Sequence, residues 1–149
     1  MMLHVEQILN LETLEQVIAK DALIGFLFTH LDRFRDDKSA IGKAIDYAFS
    51  TEPGKGGFIL LALDDKQVLG ALVMNNTGME EFIPENILVY IAVDAAKRGQ
   101  GIGKVLIEKA FELTKGNIAL HVEYDNPAKK LYERLGFSSK YAEMRWQRS

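Results

Sequence analysis

The sequence predicts a single-domain α/β fold, with a mixed central sheet of about six to seven strands flanked by about four helices on both faces. The run Ile87–Val93 is apolar at every position, the mark of a central strand covered above and below. Segments with strand and helix periodicity follow one another in the order strand, two helices, three strands, helix, strand, helix, strand. No repeat, low-complexity tract or linker interrupts the 149 residues, so one domain spans 1–149. A chain of this length buries roughly 68–70% of the surface its unfolded form exposes, enough for one core.

Leu3 to Ile8 reads as a first strand, and Asn10 as the N-cap of a helix with Leu11, Leu14, Val17 and Ile18 on one face. A second helix begins near Ser39 and turns Ile41, Ala44, Ile45, Ala48 and Phe49 inward. Between them, His30 to Lys38 is charged and reads as a solvated loop. Gly54, Gly56 and Gly57 mark a turn into two strands, Phe58 to Leu63 and Val68 to Met74, joined by the hairpin link Asp64 to Gln67. A loop over Asn75 to Asn86 leads to the central strand, which is followed by an amphipathic stretch from Ile102 to Leu113. Ile118, Leu120 and Val122 alternate with Ala119, His121 and Glu123, giving a strand with one buried face. Asn126-Pro127 is a helix start and Gly136 the matching stop. Ala128, Leu131, Tyr132 and Leu135 share one face of that helix, so Tyr132 points inward. Phe137 and Lys140 to Trp146, with Ala142, Met144 and Trp146 on one side, supply the last strand.

Net charge is −3 with a pI near 5.6, and the basic residues are dispersed, so no nucleic-acid partner is expected. The absence of cysteine excludes a thiolate nucleophile and a sulfur-ligated metal. His4, His30 and His121 show no metal-ligand spacing, and no metal is expected. The apolar runs Ala22–Phe28, Phe58–Leu63 and Ile87–Val93 fall short of the roughly 18 residues of a membrane span. With no signal-peptide pattern at the amino terminus, the expected location is cytoplasmic, with no membrane partner.

Chemistry enters at Lys97-Arg-Gly-Gln-Gly-Ile-Gly-Lys104, a glycine-rich turn between a strand and a helix. Such a turn gathers backbone N–H groups and the positive end of a helix dipole around one anion-sized volume. A Walker loop requires Gly at 98 and Ser or Thr at 105, where Arg98 and Val105 stand. A dinucleotide fingerprint from Gly99 requires Gly at 104, where Lys104 stands. Arg98-x-x-Gly101-x-Gly103 instead resembles the pyrophosphate loop of the GNAT superfamily of acyl-CoA-dependent N-acyltransferases. The string Leu120 to Phe137, with Asn126, Leu131-Tyr132 and Gly136-Phe137, resembles the second signature of that family. Together the two signatures span Ile87 to Phe137, about a third of the chain.

The resemblance implies a GNAT-like fold and an N-acetyltransferase that uses acetyl-CoA as co-substrate and attacks it directly in a ternary complex, since no cysteine is available for an acyl-enzyme. The alternative is a non-catalytic acyl-CoA-binding or regulatory module of the same fold. The resemblance assigns Arg98, Gly99, Gln100, Gly101, Ile102, Gly103 and Lys104 to the coenzyme A pyrophosphate. It assigns the backbone of Ile91, Ala92 and Val93 to the pantetheine arm, and Asn126 and Lys129 to the pantetheine end. For Asn126, helix capping is a sufficient explanation by itself. Tyr132 is the implied general acid at the leaving sulfur, and it also contacts the cofactor. The general base is His121, as a substitute for a family glutamate, or Glu85 acting through water. The need for a base depends on the acceptor, a small-molecule or peptide amine: a lysine-like amine (pKa ~10.4) is neutral in about one molecule in 2,500 at pH 7, an α-amine (~7.8) in more than one in ten. The acceptor falls to Leu11–Ser50 and Asn75–Asn86, where His30, Asp32, Asp36, Glu80 and Glu81 either face a cationic amine or face water. A homodimer is a further implication, as family members frequently dimerise.

Overall fold

Strands β1 (Leu3–Ile8), β2 (Gly57–Asp64), β3 (Gln67–Asn76) and β4 (Asn86–Val93) form an antiparallel meander, and β5 (Ile118–Leu120) lies parallel beside β4. The sheet is therefore mixed, in the order β1-β2-β3-β4-β5. This computed structural model describes residues 2–149. The β2–β3 hairpin turns where expected, with Asp65 in a left-handed conformation (φ 56°).

Helices α1 (Leu11–Glu15), α2 (Lys20–Leu31) and α3 (Lys38–Ala48) cover one face of the sheet, where Leu14, Leu23, Leu27, Ile41 and Ile45 pack on Ile59, Leu61, Val73 and Ala92. Helices α4 (Ile102–Leu113) and α5 (Ala128–Arg134) cover the other, where Ile102, Leu106 and Tyr132 pack on Leu60, Leu72 and Leu88. The strict alternation of Leu60 and Leu61 between these two cores is the strand period of two. Capping follows the sequence: Asn10 Oδ1 accepts from the Thr13 N–H at 2.8 Å, and Gly136 ends α5 with φ 103°.

Two counts differ from expectation. The sheet has five strands rather than six to seven, and there are five helices rather than four. The missing strand is Lys140–Trp146, whose Met144 and Trp146 are 90% and 77% exposed. A strand needs a neighbour's ladder, and β5, expected to reach Glu123, leaves the sheet after Leu120 and offers none. The extra helix is α2, which the sequence reading did not place: the expected first helix ends as α1 at Glu15, Ala19 is extended (ψ 143°), and a new helix opens with the Lys20 N–H on Glu15 Oε2. Ala22 to Phe28 is apolar nearly all round, so α2 carries no one-sided stripe to announce it.

Candidate active site

Strands β4 and β5 pair only from Asn86↔Ile118 to Leu88↔Leu120 and then part, leaving Val89 to Val93 without a neighbour on that side. The parting coincides with an irregularity on the other side of the same strand. Val73 pairs with Tyr90 and Met74 with Leu88, so Val89 is an extra residue, a bulge at the apex of the cleft. Ile91, Ala92 and Val93 thus line one arm of a V with backbone groups on its open side.

The glycine-rich turn stands at the mouth of this V, between the end of β4 and the start of α4. Gly99 and Gly101 share φ 81°, Gly101 is the N-cap of α4, and open space lies where a Cβ would project from either. Left-handed residues in close succession turn neighbouring N–H groups toward one concavity, where an anion also meets the positive end of a twelve-residue helix. Arg98, Gln100 and Lys104 are exposed around it, and Ile102 is buried beneath as the anchor of α4. Gly103 has a second reason to lack a side chain: a Cβ there would stand 3.3 Å from Leu131 of α5. The loop therefore fits a pyrophosphate by geometry and charge.

Tyr132 reaches the same region from α5. It is 8% exposed, sits edge-on to Phe137 (5.9 Å, 66°), and its hydroxyl makes no hydrogen bond among the described residues. Burial, with the Glu123 carboxylate adding to it, pushes its pKa up to about 12. The phenol is thus a neutral donor without an acceptor. The N-cap of α5 is Pro127 rather than the expected Asn126, whose Oδ1 still accepts from the Ala128 N–H at 2.9 Å, and Lys129 lies half-buried 3.5 Å from Glu133.

The model for the GNAT acetyltransferase domain matches residues 55–139, more than half the chain. The chain belongs to the GNAT acetyltransferase family. Solved structures with the same fold include an aminoglycoside acetyltransferase from an uncultured soil metagenomic sample (22% identity, TM-score 0.65, all of both chains covered). A ribosomal-protein-alanine N-acetyltransferase from Brucella melitensis biovar Abortus 2308 (17%, TM-score 0.63, 98% of this chain and 99% of that one) is another. A transcriptional regulator from Bacillus halodurans C-125 matches as well (19%, TM-score 0.66, 97% and 99%). No match is found among curated proteins. At these identities the likeness is one of fold.

The GNAT domain separates the two base candidates. His121 follows Leu120, the last paired residue of β5, so it stands exposed on the second arm of the V. Glu85 lies at the opposite end of β4, where Oε1 accepts from the Asn117 N–H (2.7 Å) and Oε2 from the Glu81 N–H (3.0 Å). Those backbone donors, Asn117 first, hold the Glu85 carboxyl below its ordinary pKa of 4.5. Glu85 is a latch between the loops entering β4 and β5. Its folded-state pKa is depressed, so its stabilisation is full above 4.5 and lost as pH falls through the lower folded value. Urea titrations should show Glu85→Gln less stable than wild type at pH 7, with the gap closing in acid below that range. A gap that persists there would refute the latch.

His30 to Lys38 is largely exposed, as expected, and is in addition a strap tied across the V of the GNAT domain. Arg98 Nη2 donates to the His30 carbonyl (2.7 Å), the Ala95 N–H to His30 Nδ1 (3.1 Å), and Arg33 Nη1 to Asp125 Oδ2 (2.9 Å). The Tyr90 hydroxyl, rising from the bulge, donates to Asp36 Oδ2 at 2.6 Å. Sequence reasoning missed Tyr90, although it is the one hydroxyl in the apolar run Ile87–Val93 and a buried phenol needs a partner. No metal-holding group of His, Asp and Glu exists among the described residues, and no described helix is long and apolar enough to cross a membrane.

Proposed function

We propose that this GNAT domain transfers an acetyl group from acetyl-CoA to a primary amine by direct attack in a ternary complex. The observation that carries the reading is the coincidence of three features: the β4–β5 parting, the Val89 bulge at its apex and the glycine turn at its mouth. Acetyl-CoA supplies an acyl group already activated as a thioester. The amides of Gln100 to Lys104 and the Arg98 and Lys104 side chains hold its diphosphate. Unpaired backbone groups from Val89 to Val93 align the pantetheine arm, with Asn126 and Lys129 at its far end. A free N–H beside the bulge polarises the carbonyl, an electrostatic contribution that grows as charge develops on oxygen.

Tyr132 serves the departing sulfur from the α4–α5 side of the sheet. With the phenol at about 12 and a thiol near 8.5, complete proton transfer is uphill by roughly 5 kcal/mol, so Tyr132 acts by hydrogen-bond donation as the C–S bond breaks. The amine comes from the other face. Ile118, Leu120 and Val122 pack toward α4 and α5, so strand alternation turns His121 to the α2–α3 side, where it takes the proton of the attacking nitrogen. His121→Ala should lower kcat/KM for an aliphatic amine about a hundredfold at pH 7. The deficit should shrink toward pH 10, where the amine supplies its own neutral form. A pH-independent deficit would exclude His121 as the base.

Two of the structural neighbours bear names that specify amine acceptors, an aminoglycoside and a ribosomal-protein alanine, which agrees with a nitrogen nucleophile. Calorimetry with CoA, followed by thiol release from acetyl-CoA across an amine panel, tests the whole reading. CoA binding without acceptor-dependent thiol release would leave a binding module.

A further inference from the structure

One side of α2 opens on a cavity of about 420 Å³, within the size range of small-molecule sites. Ala22, Gly25, Phe26 and Thr29 line it at i, i+3, i+4 and i+7, while Leu23 and Leu27 turn away into the core. Val17 and Ile18 from the α1–α2 link and Val68 from the start of β3 complete its apolar wall. No residue from Val89 to Val93 lines it, and neither Tyr132 nor His121 does. The space is therefore distinct from the V, although it adjoins the end of β4, where the Asp94 N–H donates to the Leu69 carbonyl at 2.8 Å.

The polar side chains of the cavity are Thr29, His30 and Lys66, and no carboxylate lines it. Lys66 has no ion pair among the described residues. The Phe26 ring packs on that of His30, centroids 4.6 Å apart, and His30 Nδ1 accepts from the Ala95 N–H at 3.1 Å. A neutral imidazole that accepts at Nδ1 carries its proton on Nε2, and that donor has no protein partner among the described residues. A cation and two further donors above apolar walls suit a ligand with an apolar body and one anionic head. Gly25 points to the same space independently. Glycine weakens a helix interior, and nothing within 4 Å of the place a Cβ would take demands it here for packing. A larger side chain would project into the cavity, so glycine keeps it open.

We propose that this cavity is a second binding site, taking a small monocarboxylate with an apolar tail, and that its occupancy is coupled to the coenzyme A loop through His30. The site stands apart from the acetyl-transfer reading, and only the coupling rests on it. The His30 carbonyl lies in the last turn of α2, where no helical partner is available, and it accepts from Arg98 Nη2 at 2.7 Å. One residue thus ties α2 to both ends of Ala95–Arg98, the segment that leads into the glycine turn. Arg98 keeps donors to spare for a phosphate while it holds that carbonyl. A carboxylate that accepts from Nε2 polarises the ring and strengthens the Ala95 bond at Nδ1. Acid and CoA then favour one arrangement of the segment, and each raises the affinity of the other by the same factor.

The test titrates the chain with octanoate, octanol and octylamine, which share a tail and differ in head group, by calorimetry with thermal melting in parallel. Octanoate should bind at least about tenfold tighter than either. Lys66→Met should erase the preference over octanol. Gly25→Leu, which fills the cavity with a good helix former, should weaken octanoate at least about tenfold with no loss of melting temperature. Saturating octanoate should tighten CoA about fivefold, and saturating CoA should tighten octanoate equally. Octylamine binding as well as octanoate overturns the site, as does an octanoate affinity that neither variant moves. Displacement of octanoate by CoA would put the acid in the V and overturn the whole proposal. Octanoate binding without a reciprocal change overturns the coupling and upholds the site. Octanoate binding by a chain that does not bind CoA overturns the acetyl-transfer reading and the coupling, and again upholds the site.

Discussion

Tyr132→Phe is expected to lower kcat about a thousandfold while CoA affinity changes by less than about twofold. The substitution removes one oxygen and keeps the ring that packs against Phe137 and the α4 core. Because the hydroxyl has no protein partner among the described residues, its removal leaves no orphaned group and should not lower the melting temperature. A loss confined to kcat is the signature of an interaction made only as the C–S bond breaks. The raised phenol pKa of about 12 adds a second check: the wild-type kcat profile should show no limb from this residue through pH 10. Single-turnover rates with saturating acetyl-CoA and amine would settle both points, and undiminished turnover in the variant would end the assignment.

Gly101→Val should weaken CoA binding about a hundredfold, close to 2.7 kcal/mol. Position 101 has φ 81°, where a β-branched residue is strained, and its side chain would project into the open volume before α4. Relief of the strain would turn the amides of Gln100 to Lys104 away from their common focus. Gly25→Ala is the matched control, since Gly25 lies in the middle of α2 with nothing within 4 Å of an added Cβ. It should leave CoA affinity unchanged and stabilise the fold by about 0.5–1 kcal/mol. Calorimetric titration of both variants with CoA discriminates a phosphate cradle from an ordinary turn, for which the valine would alter stability alone.

Local signals made much of this legible. Ile87–Val93, the Gly99–Gly103 turn and the Asn126…Gly136 helix each carry their own evidence in consecutive residues, and all three stand in the fold where expected. The tail was misread because Ala142, Met144 and Trp146 alternate properly, yet alternation cannot report whether a neighbouring strand is there to receive it. The site was hardest to read where residues distant in sequence meet. Asp36 and Tyr90 are 54 positions apart, and Arg33 and Asp125 are 92 apart. Charged residues in a row read as solvated, and these are exposed, but the sequence does not show that Arg33 and Asp36 also find partners across the fold. The two amides on Glu85 were illegible for the same reason, since only the folded chain brings them to it.

The seam between β4 and β5 is confined to Asn86–Leu88 and Ile118–Leu120, and it is the sheet's single parallel junction among the described residues. Strands β2 to β4 close through neighbouring links and long ladders, whereas this junction waits on a crossover through α4. Amide protons of β5 should accordingly exchange well before those of β2 and β3. Mild denaturant would then silence the molecule while most of its sheet survives, so that loss of function precedes unfolding.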